Sequence, residues 1–248
     1  MYGWRARIGF VFPSRGDTLL YEFYRIAPDG VVAVPYIANL RELEDSEFSR
    51  VRDVYGAAVE QLDWEGVDLI CVTGTPPWVS RGLEGYSELL EDLQARTSRP
   101  ITTGPQVELE AMAAAGMTAP TVVTPHQETL QGQILDFFRH YGVSPKNVHG
   151  FGIRAAYEIS LIHDRDIYRQ TVDLERSEGV GDGVHFTCPR WATAGIIKPL
   201  EDVLGVPVTS SAQAIIWNAL ERLNLVPANA SERWGSLYGR SIGGSGLS

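Results

Sequence analysis

The sequence predicts a layered α/β protein made of two similar lobes, each built on a parallel sheet. Three observations carry this. Short apolar runs of strand length alternate with amphipathic stretches of ten or more residues, the spacing that parallel strands require for their crossover helices. The alternation passes through about four strands, starts again near Thr118, and passes through about four more. Finally, Leu69–Trp78 and Val184–Trp191 echo one another: an apolar run halts at Thr, Gly or Cys, meets Pro, and reaches Trp two residues later.

Taken in order, Ile8–Phe12 reads as a buried strand closed by the turn-forming Pro13-Ser14-Arg15-Gly16-Asp17. A short helix at Phe23–Ile26 precedes the strand Val31–Val34. From Ser46, the residues Phe48, Val51, Val54, Tyr55, Ala58 and Leu62 recur at three- and four-residue spacing, which is one face of a helix. Strand Val67–Val72 leads into the first junction, followed by a helix over Leu83–Ala95. Pro100–Thr103 is a short strand, and Gly104-Pro105 opens an Ala-rich helix to Ala115.

The second half starts with strand Pro120–Val123. Thr124 and Gln127 then have capping-box spacing with Pro125 at the first helical position, predicting a helix from there to Tyr141 that carries His126 in its first turn. Val148–Gly152 is a weak strand, Ala155–Leu174 helical, and Gly179–Gly183 a turn. Strand Val184–Thr187, a helix to Leu204, strand Val206–Val208 and a helix over Ser211–Leu223, capped by Ser210 with Gln213, complete the pattern. The Gly/Ser tail 243–248 is expected to be disordered.

The expected division is an N-terminal lobe of 1–116 plus 208–248, closed by the C-terminal helix, and a second lobe of 117–207. In open parallel sheets ligands bind beyond the carboxyl ends of the strands, here the loops after Phe12, Val72, Val123 and Thr187.

Composition narrows the function. The net charge of −10 argues against non-specific nucleic-acid binding, which needs a basic surface. No apolar run approaches transmembrane length, and Met1–Arg7 lacks the features of a signal peptide, so the expectation is a cytoplasmic protein with no membrane partner. Two cysteines without a nearby His pair make neither a disulfide framework nor a metal site. The sequence has no G-x-S-x-G elbow, P-loop or H-E-x-x-H. Gly150-Phe151-Gly152-Ile153-Arg154-Ala155 matches a dinucleotide fingerprint, but a poor strand precedes it, so no cofactor is expected.

Cys71 lies inside an apolar run and reads as core. Cys188 stands at a strand end before an expected helix, where a helix N-terminus favours thiolate character; a structural cysteine is the alternative. His126 is either an exposed helix-start residue or an anion ligand. Thr75 offers a hydroxyl and a backbone N–H for an oxyanion, although Pro76 and Pro77 add no N–H. Arg15 is a candidate carboxylate clamp.

With these residues in view, a resemblance emerges. Ile8–Ser14 with Glu22–Val31 resembles the opening of bacterial maleate cis–trans isomerases. Gly74-Thr75 followed by Arg81-Gly82 resembles the matching loop of arylmalonate decarboxylase, and Gly205–Ser211 with Trp217 the C-terminal strand and helix of both. The chain is thereby identified with the aspartate/glutamate racemase superfamily. The resemblance implies two pseudo-symmetric Rossmann-like (flavodoxin-like) lobes with four-stranded parallel sheets and an active site in the cleft between them. It also implies a small carboxylic-acid substrate, no cofactor and no metal, with self-association left open. Racemases and isomerases of this superfamily use one cysteine per lobe. Here Cys188 matches the second, and Gly74 stands at the first, as in arylmalonate decarboxylase.

Racemisation needs an acid/base group on both faces of a carbon, whereas decarboxylation followed by protonation needs one. The implied activity is therefore decarboxylation of a substituted malonate, with an enediolate protonated by Cys188 and gripped by Thr75, Gly74, His126, Pro13, Ser14 and Arg15. A maleate isomerase or Asp/Glu-type racemase using Cys188 is the alternative, and a non-catalytic dicarboxylate-binding protein the second. Under the first reading Gly74→Cys is expected to add racemase activity. The departures from the family pattern are Pro76 and His126, where the decarboxylase has a hydroxyl residue and a Tyr; Gly16, where the isomerase has an Asn; and Pro189, which removes a backbone donor beside Cys188.

Overall fold

The computed structural model describes residues 3–243; the remainder of the expected disordered tail, 244–248, lies outside the described residues. Its first sheet contains β1 (Ala6–Phe12), β2 (Val31–Ile37), β3 (Leu69–Val72) and β4 (Ile101–Thr103) in the order β2-β1-β3-β4. Its second contains β5 (Thr121–His126), β6 (Asn147–Ile153), β7 (Val184–Phe186) and β8 (Val208–Ser210) in the order β6-β5-β7-β8. All pairings are parallel, and the same order in both sheets makes the lobes pseudo-symmetric.

The helices are α1 (Asp17–Ile26), α2 (Asp45–Trp64), α3 (Pro76–Val79), α4 (Gly82–Ala95), α5 (Gly104–Ala115), α6 (Glu128–His140), α7 (Asp164–Glu178), α8 (Ala194–Leu204), α9 (Ser211–Arg222) and α10 (Ala230–Trp234). A buried parallel strand feeds both faces of its sheet, and β1 shows how. Ile8, Phe10 and Phe12 pack with Leu19 and Phe23 of α1 and with Ile216, Trp217 and Leu220 of α9. Val11 packs on the opposite side with Phe48, Val51, Tyr55 and Leu62 of α2. A Cβ on Gly9 would stand 3.0 Å from Leu62, so the bare backbone there lets α2 settle on the sheet. Leu130, Ile134, Phe137 and Phe138 of α6 join that cluster, tying the second lobe to the first. A third cluster around Val123, Phe186, Trp191 and Ile197 fills the second lobe. After β8 the chain continues into α9, which packs with α1 and α5, and Ser210 Oγ accepts from Gln213 N at 3.1 Å as its spacing predicts.

Two expectations are corrected. Thr124-Pro125-His126 does not open a helix: β5 continues to His126, and α6 begins at Glu128 with Gln127 as N-cap. Thr124 Oγ1 accepts instead from His126 N at 3.2 Å, and the β5–β6 register shifts between these residues, which lets Pro125 sit at the end of a central strand. The stretch Ala155–Leu174 is two elements, a 3₁₀ turn over Ala156–Leu161 and then α7. Gly150 and Gly152 lie in β6, as the expected strand Val148–Gly152 has it; a Cβ at Gly150 would stand 1.9 Å from Gln131 Nε2, so the glycine serves packing. Among the described residues no helix is long and apolar enough to cross a membrane, and no cluster of three or more His, Cys, Asp or Glu side chains is placed to hold a metal ion.

One contact joins α1 of the first lobe to α8 of the second. Glu22, buried, accepts the N–H of Ala194 on Oε1 at 2.8 Å, capping the first turn of α8. Burial outweighs this bond and the Arg25 charge, raising the Glu22 carboxyl to about 7 from an ordinary 4.5. A folded state that holds this proton more tightly than the unfolded chain is favoured below about pH 4.5 and loses that advantage as pH rises through about 7. Glu22→Gln is expected to flatten this loss, which is on the order of 3 kcal/mol at most. Urea melts of both proteins from pH 5 to pH 8 check it, and parallel pH dependences would refute it.

Candidate active site

Four strands end around one pocket. The loop after β1 supplies Pro13 and Ser14, the loop after β3 Gly74, Thr75, Pro76 and Pro77, β5 His126, and the loop after β7 Thr187, Cys188, Pro189 and Arg190. Leu40, Leu43, Phe48, Ala156 and Ile159 form an apolar wall. The space between them, counting its open mouth, is about 480 Å³. Of the expected site residues, Pro13, Ser14, Gly74, Thr75, His126 and Cys188 line this pocket, and Arg15 does not. The Arg15 side chain is 61% exposed and pairs with Asp17 at 2.8 Å.

Cys188 is buried, and its environment differs from the expectation. Helix α8 starts at Ala194, six residues later, so no helix N-terminus stabilises a thiolate there. Burial pushes the thiol up to about 12. The backbone N–H groups of Arg190 and Trp191 and the Arg190 charge oppose this, while the Glu108 charge adds to it. The sulfur is therefore a protonated acid at neutral pH. Pro189 has no N–H to give, and the next two residues provide the donors instead.

On the other lobe Gly74 has φ +81°, a left-handed conformation that favours glycine, and a Cβ there would stand 2.5 Å from Pro13 Cγ. The backbone conformation and Pro13 together oppose a side chain facing Cys188 from this position. Gly16 is similarly filled: a Cβ there would meet the Phe12 ring at 2.4 Å, so no ligand-bearing side chain fits.

His126 is buried with its Nδ1 unpartnered among the described residues. Burial lowers it to about 4, so the ring is neutral at neutral pH and available as a hydrogen-bonding partner. Thr187 Oγ1 is likewise buried without a partner among the described residues.

Arg190 is not among the expected site residues, although it stands two positions after Cys188 in the stretch Val184–Trp191. It is only 8% exposed. Its Nη1 donates to Ser14 Oγ and its Nη2 to Ser160 Oγ, each at 2.9 Å, and its Nε has no partner among the described residues. No acidic side chain pairs with it among the described residues, which leaves an arginine held in place by neutral hydroxyls beside the thiol. A buried cation without a counter-ion is the arrangement that a carboxylate completes.

Comparisons with known proteins bear on this geometry. A family model described as arylmalonate decarboxylase matches residues 20–235. The arylmalonate decarboxylase of Bordetella bronchiseptica is 23% identical over 237 residues, covering 94% of this chain and 97% of the relative. A liganded double mutant of arylmalonate decarboxylase superposes with TM-score 0.85 at 21% identity, covering 94% of this chain and 98% of the other. The maleate isomerase Iso of Pseudomonas putida S16, in a cysteine-to-alanine form with maleate, superposes with TM-score 0.81 at 19% identity, covering 96% of each chain. With the family model spanning most of its length, the chain belongs to the arylmalonate decarboxylase family.

Proposed function

We propose that this protein is a cofactor-independent decarboxylase of a small substituted malonate in which Cys188 is the single proton donor. The observation that carries the reading is the pairing of a buried, protonated Cys188 thiol with Gly74 across the pocket. A thiol held up at about 12 is a poor nucleophile and a suitable acid toward a strongly basic carbon. That favours protonation over the thiolate addition that double-bond isomerisation requires.

The steps balance as follows. The substrate's retained carboxylate sits against Arg190, whose free Nε and fixed guanidinium stabilise negative charge, with Ser14 and Ser160 holding the plane. The departing carboxylate leaves as CO₂; its C–C electron pair passes into the retained carboxylate and forms an enediolate. Neutral His126 and the Thr75 region share that charge. The Cys188 S–H then gives its proton to carbon, and water re-protonates the sulfur. The apolar wall of Leu40, Leu43, Phe48, Ala156 and Ile159 suits an apolar substituent and excludes the water that would otherwise screen the charge. Cytoplasmic location and freedom from cofactors belong to the same reading.

Cys188→Ala is expected to lower turnover of phenylmalonate-type substrates by roughly 10²–10⁴-fold, the usual contribution of a positioned acid. Following CO₂ release and deuterium incorporation in D₂O by NMR checks this. Wild-type activity in the variant, or fumarate from maleate as the main product of the wild type, would overturn the reading. Arg190→Met is expected to raise KM by roughly 10–100-fold, the equivalent of a lost charge-assisted hydrogen bond; an unchanged KM would remove Arg190 from the site. Gly74→Cys, expected from the resemblance to add a second acid/base group, meets a left-handed φ and Pro13 in this chain. It is expected to lose stability on the order of 1–3 kcal/mol, read from a thermal melt.

A further inference from the structure

Behind the pocket lies a buried pair that the proposed reaction does not use. Glu108 on α5 and His185 on β7 are 1% and 0% exposed, and His185 Nε2 stands 3.0 Å from Glu108 Oε2. The other carboxylate oxygen, Oε1, accepts a short hydrogen bond from the Thr75 hydroxyl, and His185 Nδ1 lies 2.9 Å from Thr209 Oγ1 on β8. The chain Thr75–Glu108–His185–Thr209 therefore runs from a pocket-lining residue of one lobe into the sheet of the other without reaching solvent. The titratable groups facing Glu108 are His185 and, from the loop after β7, Cys188, whose thiol the Glu108 charge helps to raise. The neighbouring Glu110 is turned away onto Asn218 and Arg222.

Proton accounting makes this chain consequential. A threonine hydroxyl has one hydrogen. While it donates to a carboxylate Glu108, it can only accept from the pocket side and repels an anionic oxygen there. A bound oxyanion would also place a second buried negative charge one hydroxyl away from the first, which a dry site disfavours strongly. Both conflicts end if Glu108 takes a proton on Oε1. It then donates to Thr75 Oγ1, the Thr75 hydrogen turns to the ligand, and His185 Nε2–H continues to donate to Oε2 while Nδ1 accepts from Thr209.

We infer that Glu108 and His185 are positioning residues that couple carboxylate binding in the pocket to uptake of a proton, and thereby set Thr75 as a donor to the bound oxyanion. The proton comes from solvent buffer and is held on Glu108. The inference rests on the pocket being the carboxylate site proposed above. Two other groups in the pocket are accounted for. Cys188 already carries its proton at neutral pH, and His126, lowered to about 4, is the competing acceptor.

The test is calorimetric titration with phenylacetate, a carboxylate with an apolar group and no second carboxylate to lose, at pH 8 in phosphate and in Tris. The difference between the two buffers reads protons taken up per ligand bound. Wild type is expected to take up as much as about one proton. Glu108→Gln, whose amide donates permanently to Thr75, is expected to bind with uptake near zero. Thr75→Val removes the link while leaving the pair in place, and is expected to lower uptake clearly below that of wild type, which keeps the test decisive if Glu108→Gln does not fold. His126→Gln is expected to retain uptake. Binding to wild type without proton uptake, or uptake undiminished in either Glu108→Gln or Thr75→Val, would overturn the inference and leave the carboxylate pocket standing. Absence of binding to wild type would overturn the pocket reading itself.

Discussion

Desolvation at the convergence of four strand ends governs the chemistry of this protein. Parallel strands present all their carboxyl ends on one edge, and here β1, β3, β5 and β7 contribute their following residues to a single pocket walled by Leu40, Leu43, Phe48, Ala156 and Ile159. Removing water disfavours whichever form of a group carries charge. The same cause therefore acts oppositely on two neighbours: Cys188 is pushed up to about 12 and His126 down to about 4, so both are neutral. Among the described residues Arg190 alone brings a charge to the lining, and burial lowers it too, though from a value high enough to keep it cationic. The result is a desolvated pocket with a cation in its lining, the polarity that an anionic ligand complements.

The lobes are held so that this space has a fixed shape. Glu22 of α1 caps α8, Arg190 from the second lobe donates to Ser14 of the first, and Glu108 reaches His185 across the same divide. Each contact places a charged or ionisable side chain of one lobe on a polar group of the other. Buried bonds of this kind contribute less to net stability than the same area of hydrocarbon, yet they are costly to break singly, which penalises any shift of one lobe against the other. The apolar packing of α6 into the first-lobe cluster supplies the adhesion, and the polar contacts supply register.

Much of the architecture was legible because it rests on periodicity. Continuous apolar runs such as Ile8–Phe12 and Leu69–Val72, and the three-and-four spacing through Phe48–Leu62, reflect burial on two faces and on one face, and burial is what the sequence encodes most directly. The misreading at Thr124–Gln127 has a definite origin. Proline normally excludes a central strand position, but a register shift between Thr124 and His126 removes the need for the missing N–H. Capping-box spacing then coincided with a strand end. Arg190 was hidden for a different reason: a lone arginine in a loop has no pattern to distinguish a solvated side chain from one that folds inward onto Ser14 and Ser160, because its partners lie 176 and 30 residues away. Arg15 illustrates the converse, an arginine in a promising loop that pairs with Asp17 two residues on and stays in water. The Glu108–His185 pair was equally invisible, since its members are 77 residues apart and each lies within an otherwise ordinary helix or strand.

The asymmetry between Gly74 and Cys188 thus has two layers. The family resemblance marks it as a missing second thiol, and the proposed reaction accordingly acts on one face of a carbon. The structure adds that the Gly74 face is not inert. Immediately after Gly74 stands Thr75, whose hydroxyl is tied to a buried carboxylate and through it to an imidazole. Such a group is unsuited to protonating carbon, because a hydroxyl is far too weak an acid to stand in for a thiol. It is suited to responding to charge, since a single proton decides whether Thr75 accepts or donates. One lobe would then deliver the proton that becomes part of the product, and the other would adjust its hydrogen bonding to the charge that builds and disperses as the carboxylate departs.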